Sequence, residues 1–314
     1  TGYSTFQGVA FRAADFYLHD CRFQYFSGRA VGVSHPQAHG KGVISNNEFV
    51  ECLSYSNGRY SRGYGINVGV WGDVTSWVPV TPGTDNFVFI EDNYFSRLRP
   101  AVAGSQGALY VFRHNHGELN SSESGYLDMH GAQPEHVNSD FSHSSRFVEV
   151  YENTFTATPT GDILHVGYEY GPIGFKGGGS LIHHNTFENF SAAVIRLSIA
   201  DMWFADYYDH PSDWQIPDYP IPYQVGWESG NQYGPNHNGT DPSSYGAGDC
   251  FIWENNYVNS DRILSASPFT YEGVQYDYIR EGRDYHFAAR PGYTPYTYPH
   301  PRRSSEGTVI VSLS

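Results

Sequence analysis

The stretch "VFIEDNYF" (88–95) ends in an Asn, one variable residue and an aromatic, and nearly the same ending returns in "VEVYENTF" (148–155) and "LIHHNTF" (181–187). A recurrence within one chain decides architecture before any local reading does. Aligned on the Asn, with an apolar residue three positions earlier, the copies are Asn47 with Ile44, Asn93 with Ile90, Asn115 with Phe112, Asn153 with Val150, Asn185 with Ile182 and Asn255 with Ile252. In most of them the residue two after the Asn is aromatic: Phe49, Phe95, Phe155, Phe187 and Tyr257. Upstream, "FYLHDCRF" (16–23) fits the frame with Leu18 and Phe23, but Cys21 stands where the Asn belongs, and the series starts there.

From Cys21 the intervals are 26, 46, 22, 38, 32 and 70 residues. The short ones approach one coil of a β-solenoid, and the long ones need inserted loops or a skipped coil. Stacked coil after coil, each Asn amide would bond the amides above and below and satisfy turn backbone inside the core.

Composition agrees. Of 314 residues only 16% are charged, while Gly (34), Tyr (26) and Phe (20) are abundant, which suits strands and turns rather than surface helices. The formal charge of -15 argues against nucleic acid, whose phosphates call for clustered Lys and Arg. Only Lys41 and Lys176 are lysines. No run approaches the roughly 18 apolar residues that span a bilayer, and the first residues carry neither the basic nor the apolar region of a signal peptide; the expectation is a soluble chain. Cys21, Cys52 and Cys250 are too few and too scattered for a disulfide framework or a zinc site, and read as small buried residues.

The pattern apolar-x-apolar-x-x-Asn-x-Phe, repeated at one coil per copy over roughly residues 5 to 265, resembles the right-handed parallel β-helix of the pectate-lyase-like superfamily. "RHN" (113–115), "YLDMHG" (126–131) and "VEVYENTF" also resemble a group of secreted bacterial β-helix proteins. The implied fold is all-β: a solenoid over 1–265 with an insertion at 199–249, then an irregular capping segment over 266–314. In that segment "EGRDYHFAARPGYTPYTYPHP" (281–301) is expected to cover the last coil. The resemblance also implies a secreted or cell-surface protein acting on a polysaccharide.

In that superfamily each coil has three strands, the Asn turn separates the second from the third, and the first sheet commonly carries the substrate groove. Period-two reading places first-sheet strands at 30–35, 64–70, 100–105, 126–131, 162–168 and 193–199. Their outward column is small and neutral over the early coils, then titratable: Asp128 and His130, His165, and Arg196. With about 4.8 Å between strands these four would gather within roughly 10 Å. The other outward column, His19, Ser45, Glu91, Arg113, Tyr151, His183 and Trp253, reads as solvated surface. The 199–249 insertion is rich in Trp and Tyr. Trp203, Tyr207, Tyr208, Trp214 and Trp227, with Tyr168 and Glu169, are candidates to pack the CH faces and bond the hydroxyls of a sugar.

Two chemistries fit the column. In β-elimination on an acidic polysaccharide, Arg196 would neutralise the uronate carboxylate while His165 or His130 takes the α proton. Hydrolysis needs two flanking carboxylates, and only Asp128 lies in the column, so a loop residue such as Glu169 or Asp201 would supply the second. Neither the three-aspartate cluster of polygalacturonases nor the pectate-lyase "WIDH" motif is present. Calcium, common among β-helix lyases, requires converging oxygen ligands; Asp92, Glu152 and Glu254 recur before the Asn, but at turns spread over many coils. Sequons at Asn120, Asn189 and Asn238 are short enough to arise by chance. The competing readings are a structural fibre, sheath or adhesion subunit that self-associates through its ends or flanks, and a non-catalytic glycan binder.

Overall fold

The structure, a computed structural model, describes residues 7–12, 15–26, 28–33, 41–52, 54–56, 59–61, 63–69, 80–98, 100–105, 107–119, 126–130, 133–134, 141–142, 145–158, 171–198, 225–226, 250–260, 262–266, 269–271, 274–276 and 279–304. They form a right-handed parallel β-helix of three sheets. The first sheet stacks Gln7–Phe11, Arg29–Val33, Tyr64–Val68, Val102–Gly104, Leu127–Met129, Ile173–Phe175, Ile195–Leu197 and Leu264–Ala266. The second stacks Asp15–His19, Lys41–Ser45, Val88–Glu91, Leu109–Arg113, Phe147–Tyr151, Gly179–His183, Cys250–Trp253 and Tyr285–His286. The third stacks Arg22–Gln24, Glu48–Val50, Tyr94–Ser96, His116–Leu119, Thr154–Ala157, Thr186–Glu188 and Asn256–Val258. Among the described residues no helix is long and apolar enough to cross a membrane.

The expected Asn ladder is present at the corner between second and third sheets. The backbone N–H of Asn47 donates to Oδ1 of Asn93 at 3.0 Å, and the relation repeats from Asn93 to Asn115 (2.9 Å), Asn115 to Asn153 (2.9 Å), Asn153 to Asn185 (3.1 Å) and Asn185 to Asn255 (3.0 Å). Cys21 starts it, its N–H donating to Asn47 Oδ1 at 3.0 Å. Each Nδ2 bonds carbonyls as well, as Asn153 does to Phe112 and Tyr151, both at 2.9 Å. The residue before each Asn is left-handed, with φ from 48° at Glu254 to 56° at Asp92. That conformation costs a side-chain-bearing residue about 1–2 kcal/mol, which the stacked amides offset. A two-residue turn wired to both neighbouring coils admits no insertion, so this corner is the same length in every coil.

Inside, Phe23, Phe49 and Phe95 stack with centroids 4.9 and 5.0 Å apart, and Phe155, Phe187 and Tyr257 stack at 5.3 and 5.7 Å. The column breaks at Gly117. Tyr126 fills the gap with its ring edge-on to Phe95 and Phe155, and a Cβ on Gly117 would stand 2.7 Å from that ring. Tyr126 also bonds the carbonyls of Phe95 and Glu118.

The second sheet's outward face corrects the reading of that column as surface: Ser45, Glu91 and Arg113 are 0% exposed, and Tyr151 and His183 3%. The C-terminal segment both adds to the last coil, where it was expected, and covers one face of the solenoid. Tyr285–His286 adds a strand beyond Cys250–Trp253, and the chain then runs back along this face as a strap. Tyr293 OH donates to Glu149 at 2.6 Å, Arg113 donates to the carbonyls of Tyr296 and Thr297, the His300 N–H reaches Glu91, and Arg302 reaches Asp15. Beneath it Val43, Phe89, Val111, Phe147 and Leu181 form a second apolar core.

Candidate functional site

Long connections occur only at the two corners that flank the first sheet: 69–87, 130–146, 198–249 and 267–284 lead from it to the second sheet, and 51–63 and 158–172 lead into it from the third. The Asn corner excludes them and the strap occupies the second sheet. The first sheet's outward face is therefore the one that inserted chain can border from both sides, as its topology alone requires.

Along that face the paired outward residues run Gly32, Asn67, Ala103, Asp128, Gly174, Arg196 and Ser265. A second column follows the strand ends, each N–H bonding the previous coil: Gly69 to Val33, Ser105 to Val68, His130 to Gly104, Lys176 to Met129 and Ser198 to Phe175, at 2.8–3.0 Å. The inward alternates Val31, Ile66, Val102, Leu127, Ile173 and Ile195 are all 0% exposed, which fixes the register of the face.

The order corrects one expected strand. The coil between Leu127–Met129 and Ile195–Leu197 is made by Ile173–Phe175, not by 162–168, so Gly174 holds the position expected for His165. His165 itself, with Tyr168, Glu169, Trp203, Tyr207, Tyr208, Trp214 and Trp227, lies outside the described residues. Of the 199–249 insertion, Val225 and Gly226 are described. Val225 bridges Gly178, and the Gly226 N–H donates to the Gly178 carbonyl at 2.9 Å, so this chain returns to the solenoid two residues beyond Lys176. Gly226 is pressed there, at φ 82°, with the Asp284 carbonyl 1.9 Å from where a Cβ would stand.

Asp128, His130 and Arg196 are brought onto one face, and Lys176 joins them. Asp128 Oδ1 is 3.2 Å from Lys176 Nζ, and Oδ2 is 3.6 Å from His130 Nε2. The Lys176 side chain is 8% exposed, that of His130 13% and that of Asp128 24%. Lys176 reaches Asp128 diagonally, from the next coil and two residues further along; Gly174, directly beside Asp128, contributes no side chain. Arg196 is a further coil on, its backbone roughly 10 Å from that of Asp128. Behind the sheet, burial and then the Asp128 charge push the Tyr110 phenol well above its usual value. A carboxylate shared by an ammonium and an imidazole, with a guanidinium nearby, can bind an anionic group and move a proton.

Lys176 was the functional candidate that pattern reading passed over. Its signal was scarcity: a chain with two lysines places one of them, almost fully enclosed, in this cluster.

The residues considered for calcium are engaged elsewhere: Asp92 with Tyr298 and Arg303, Glu152 with His114 at 2.9 Å and Glu254 with His184 at 2.9 Å. Among the described residues no group of three or more His, Cys, Asp or Glu is placed to hold a metal ion. Compared with known proteins, the chain matches no family model, no curated relative and no solved structure.

Proposed function

We propose that this protein is a secreted, carbohydrate-active enzyme of the pectate-lyase-like kind that cleaves an acidic polysaccharide by β-elimination on the outward face of its first sheet. The observation that carries the reading is the Asp128 carboxylate held between Lys176 and His130, with Arg196 on the following coil, on the sheet whose two edges receive the long connections. Arg196 neutralises the uronate carboxylate and so acidifies the carbon beside it. His130 takes that proton, the electron pair becomes the new C=C bond, and the bond to the glycosidic oxygen breaks. The aromatic residues of the 199–249 insertion supply faces for the sugar CH groups.

Hydrolysis requires a second carboxylate flanking the bond. Among the described outward positions of the first sheet Asp128 is the one carboxylate, so Glu169 or Asp201 would have to complete the pair. An assembly role is favoured by a different observation. In the last coil, Val258 is 38% exposed and Ile263 41%, on or beside strands that end their sheets among the described residues.

The test is a screen of pectate, alginate and glycosaminoglycans, with and without calcium, following ultraviolet absorbance and reducing ends together. Both signals rising supports elimination. Reducing ends without absorbance replace it by hydrolysis through Asp128 and a loop carboxylate. No product, joined to ordered filaments in the electron microscope, overturns the enzyme reading in favour of assembly.

A further inference from the structure

The outward row of the first sheet changes character along the solenoid. Ala10 is exposed, and Gly32, Asn67 and Ala103 on the coils that follow are buried. Beyond them Asp128, Arg196 and Ser265 are part-exposed, with the buried Gly174 among them. The polar member of the buried stretch is Asn67, and it is ringed by residues that carry at most a methyl group. Gly65 and Gly69 flank it along the chain, and Gly32 and Ala103 lie beside it in the register.

Two enclosed atoms at this recess, Asn67 Oδ1 and Ser105 Oγ, have no hydrogen-bond partner among the described residues, and each residue is 2% exposed. Asn67 Nδ2 donates to the Ala103 carbonyl at 3.4 Å, which identifies the nitrogen and leaves Oδ1 as a bare acceptor. Ser105 Oγ lies 3.0 Å from where a Gly69 Cβ would stand, so the hydroxyl occupies the notch that Gly69 leaves open. Two residues of strand span roughly 7 Å, so one sugar ring reaches both atoms. Buried polar groups are ordinarily paired, and an occupant that pairs these must bring a donor to Oδ1. A carboxylate offers only acceptors, whereas a hydroxyl can donate to Asn67 and take either role toward Ser105.

We propose that Asn67 and Ser105 form the closed end of the groove and bind the hydroxyls of a terminal sugar, so that the protein works from the end of an acidic glycan rather than at internal bonds. The inference rests on the acidic-glycan reading above and adds to it two binding residues and a mode of attack. The recess lies two coils from Asp128 along the row, roughly 10 Å, about the length of a disaccharide. A glycan on the part-exposed ground from Ser265 to Asp128 meets buried ground at Ala103, and a chain that stops at Asn67 fits where a continuing one does not. The character of the row agrees. Asp128 and Arg196 on the open side suit the ionised parts of the sugars, and the closed side offers neutral partners to neutral hydroxyls.

The experiment takes two readouts on the full chain. The Asn67 side-chain amide, assigned by difference from Asn67→Ala, is followed by NMR as tetragalacturonate or tetramannuronate is added to millimolar concentration. The sizes of the earliest products are measured on whichever of pectate, alginate and glycosaminoglycans is cleaved. Expected are a shift of the Asn67 amide with a uronate tetramer and short products of uniform length from the start. In Asn67→Ala and in Ser105→Ala, kcat/KM should fall about tenfold, as for one lost hydrogen bond. Both variants should denature close to the native midpoint, because the atoms removed serve no protein partner beyond the long contact to Ala103. Should Asn67→Ala fail to fold, Ser105→Ala carries the comparison and assigns the Ser105 amide as the signal to follow. A signal that neither tetramer moves overturns the proposal, and an enclosed water as sole occupant gives that result. A broad range of early product lengths, with native kcat/KM in both variants, also overturns it and leaves the acidic-glycan reading standing. A shift without turnover of any polysaccharide keeps the recess as a chain-end binding site and overturns the enzyme reading instead.

Discussion

Arg113 holds Glu91 through Nε at 2.8 Å and Nη2 at 2.6 Å, and both side chains are fully buried beneath the strap. The remaining polar atoms are served as well: Arg113 donates to Tyr151 OH at 2.9 Å and to the carbonyls of Tyr296 and Thr297, while Glu91 also takes Arg303 and the His300 N–H. A buried pair stabilises only when its hydrogen bonds are completed in this way. The pair therefore ties the strap to the solenoid.

Arg113→Met should cost about 3–5 kcal/mol, because it leaves Glu91 enclosed with fewer counter-charges. Glu91→Met combined with it should recover part of that loss. Denaturant midpoints of the two single variants and the double variant check this; strictly additive losses would mean that the two residues act independently.

How much of this was legible in the sequence depends on distance along the chain. The Asn corner repeats a fixed local spacing, so Asn93, Asn115, Asn153 and Asn185 could be stacked by inspection. The burial of Glu91 could not, since the segment that covers it lies 209 residues away at His300. The strand Ile173–Phe175 was missed because its three residues include a Gly, whereas 162–168 alternates more cleanly. The usable signal was the short step to the next strand, as from Gly104 to Leu109. Lys176 was invisible for the same reason: its place on the face depends on that strand.

Asn153→Leu removes the acceptor for the Asn115 N–H and amide and the donor to Phe112 and Tyr151. Each buried group left unpaired costs about 1–3 kcal/mol. Tyr151, which the sequence pattern places among solvated residues, is buried at 3% exposure and so is no benign control. Thr186→Ala on the third sheet is the appropriate comparison. A midpoint for Asn153→Leu close to that of Thr186→Ala would deny the ladder a structural role.

Gly117→Phe should be tolerated only if Tyr126 is removed. The single change drives a side chain into the Tyr126 ring, 2.7 Å from where the Cβ would stand, and overpacking of this kind costs about 1–3 kcal/mol. With Tyr126→Ala the new ring has room to stack between Phe95 and Phe155. The double variant should melt above Gly117→Phe, and a double-mutant cycle without favourable coupling would refute the substitution of one ring for the other.

Acid should loosen the strap face. His183, stacked between Tyr151 and Trp253, is pushed down to about 3 by burial and then by His184, and His300 is pushed to about 4, chiefly by burial. Both stay neutral in the fold while the unfolded chain takes protons near 6.5. Their stabilisation is therefore complete above about 6.5 and is lost as pH falls toward 4 and 3. Glu149, raised by burial, acts oppositely, its share being lost as pH rises through its raised value. His183→Phe keeps the stack without the titration, and should flatten the fall in denaturation midpoint between pH 6.5 and 4; an unchanged slope would remove His183 as its cause.

The identity of the base separates two histidines. His130 is 3.6 Å from Asp128, whereas Gly174 holds the register position once read for His165, so His130→Ala is expected to abolish turnover on the best acidic polysaccharide. Arg196→Ala should do the same by leaving the uronate charge unneutralised. Both variants should melt within a few degrees of the native protein, because outward side chains support no core packing. His165→Ala is the informative third. If it retains activity while His130→Ala is inactive, the base belongs to the Asp128 cluster. If the activities are reversed, proton abstraction moves to the 158–172 connection, and the Asp128 cluster is left with binding the substrate anion.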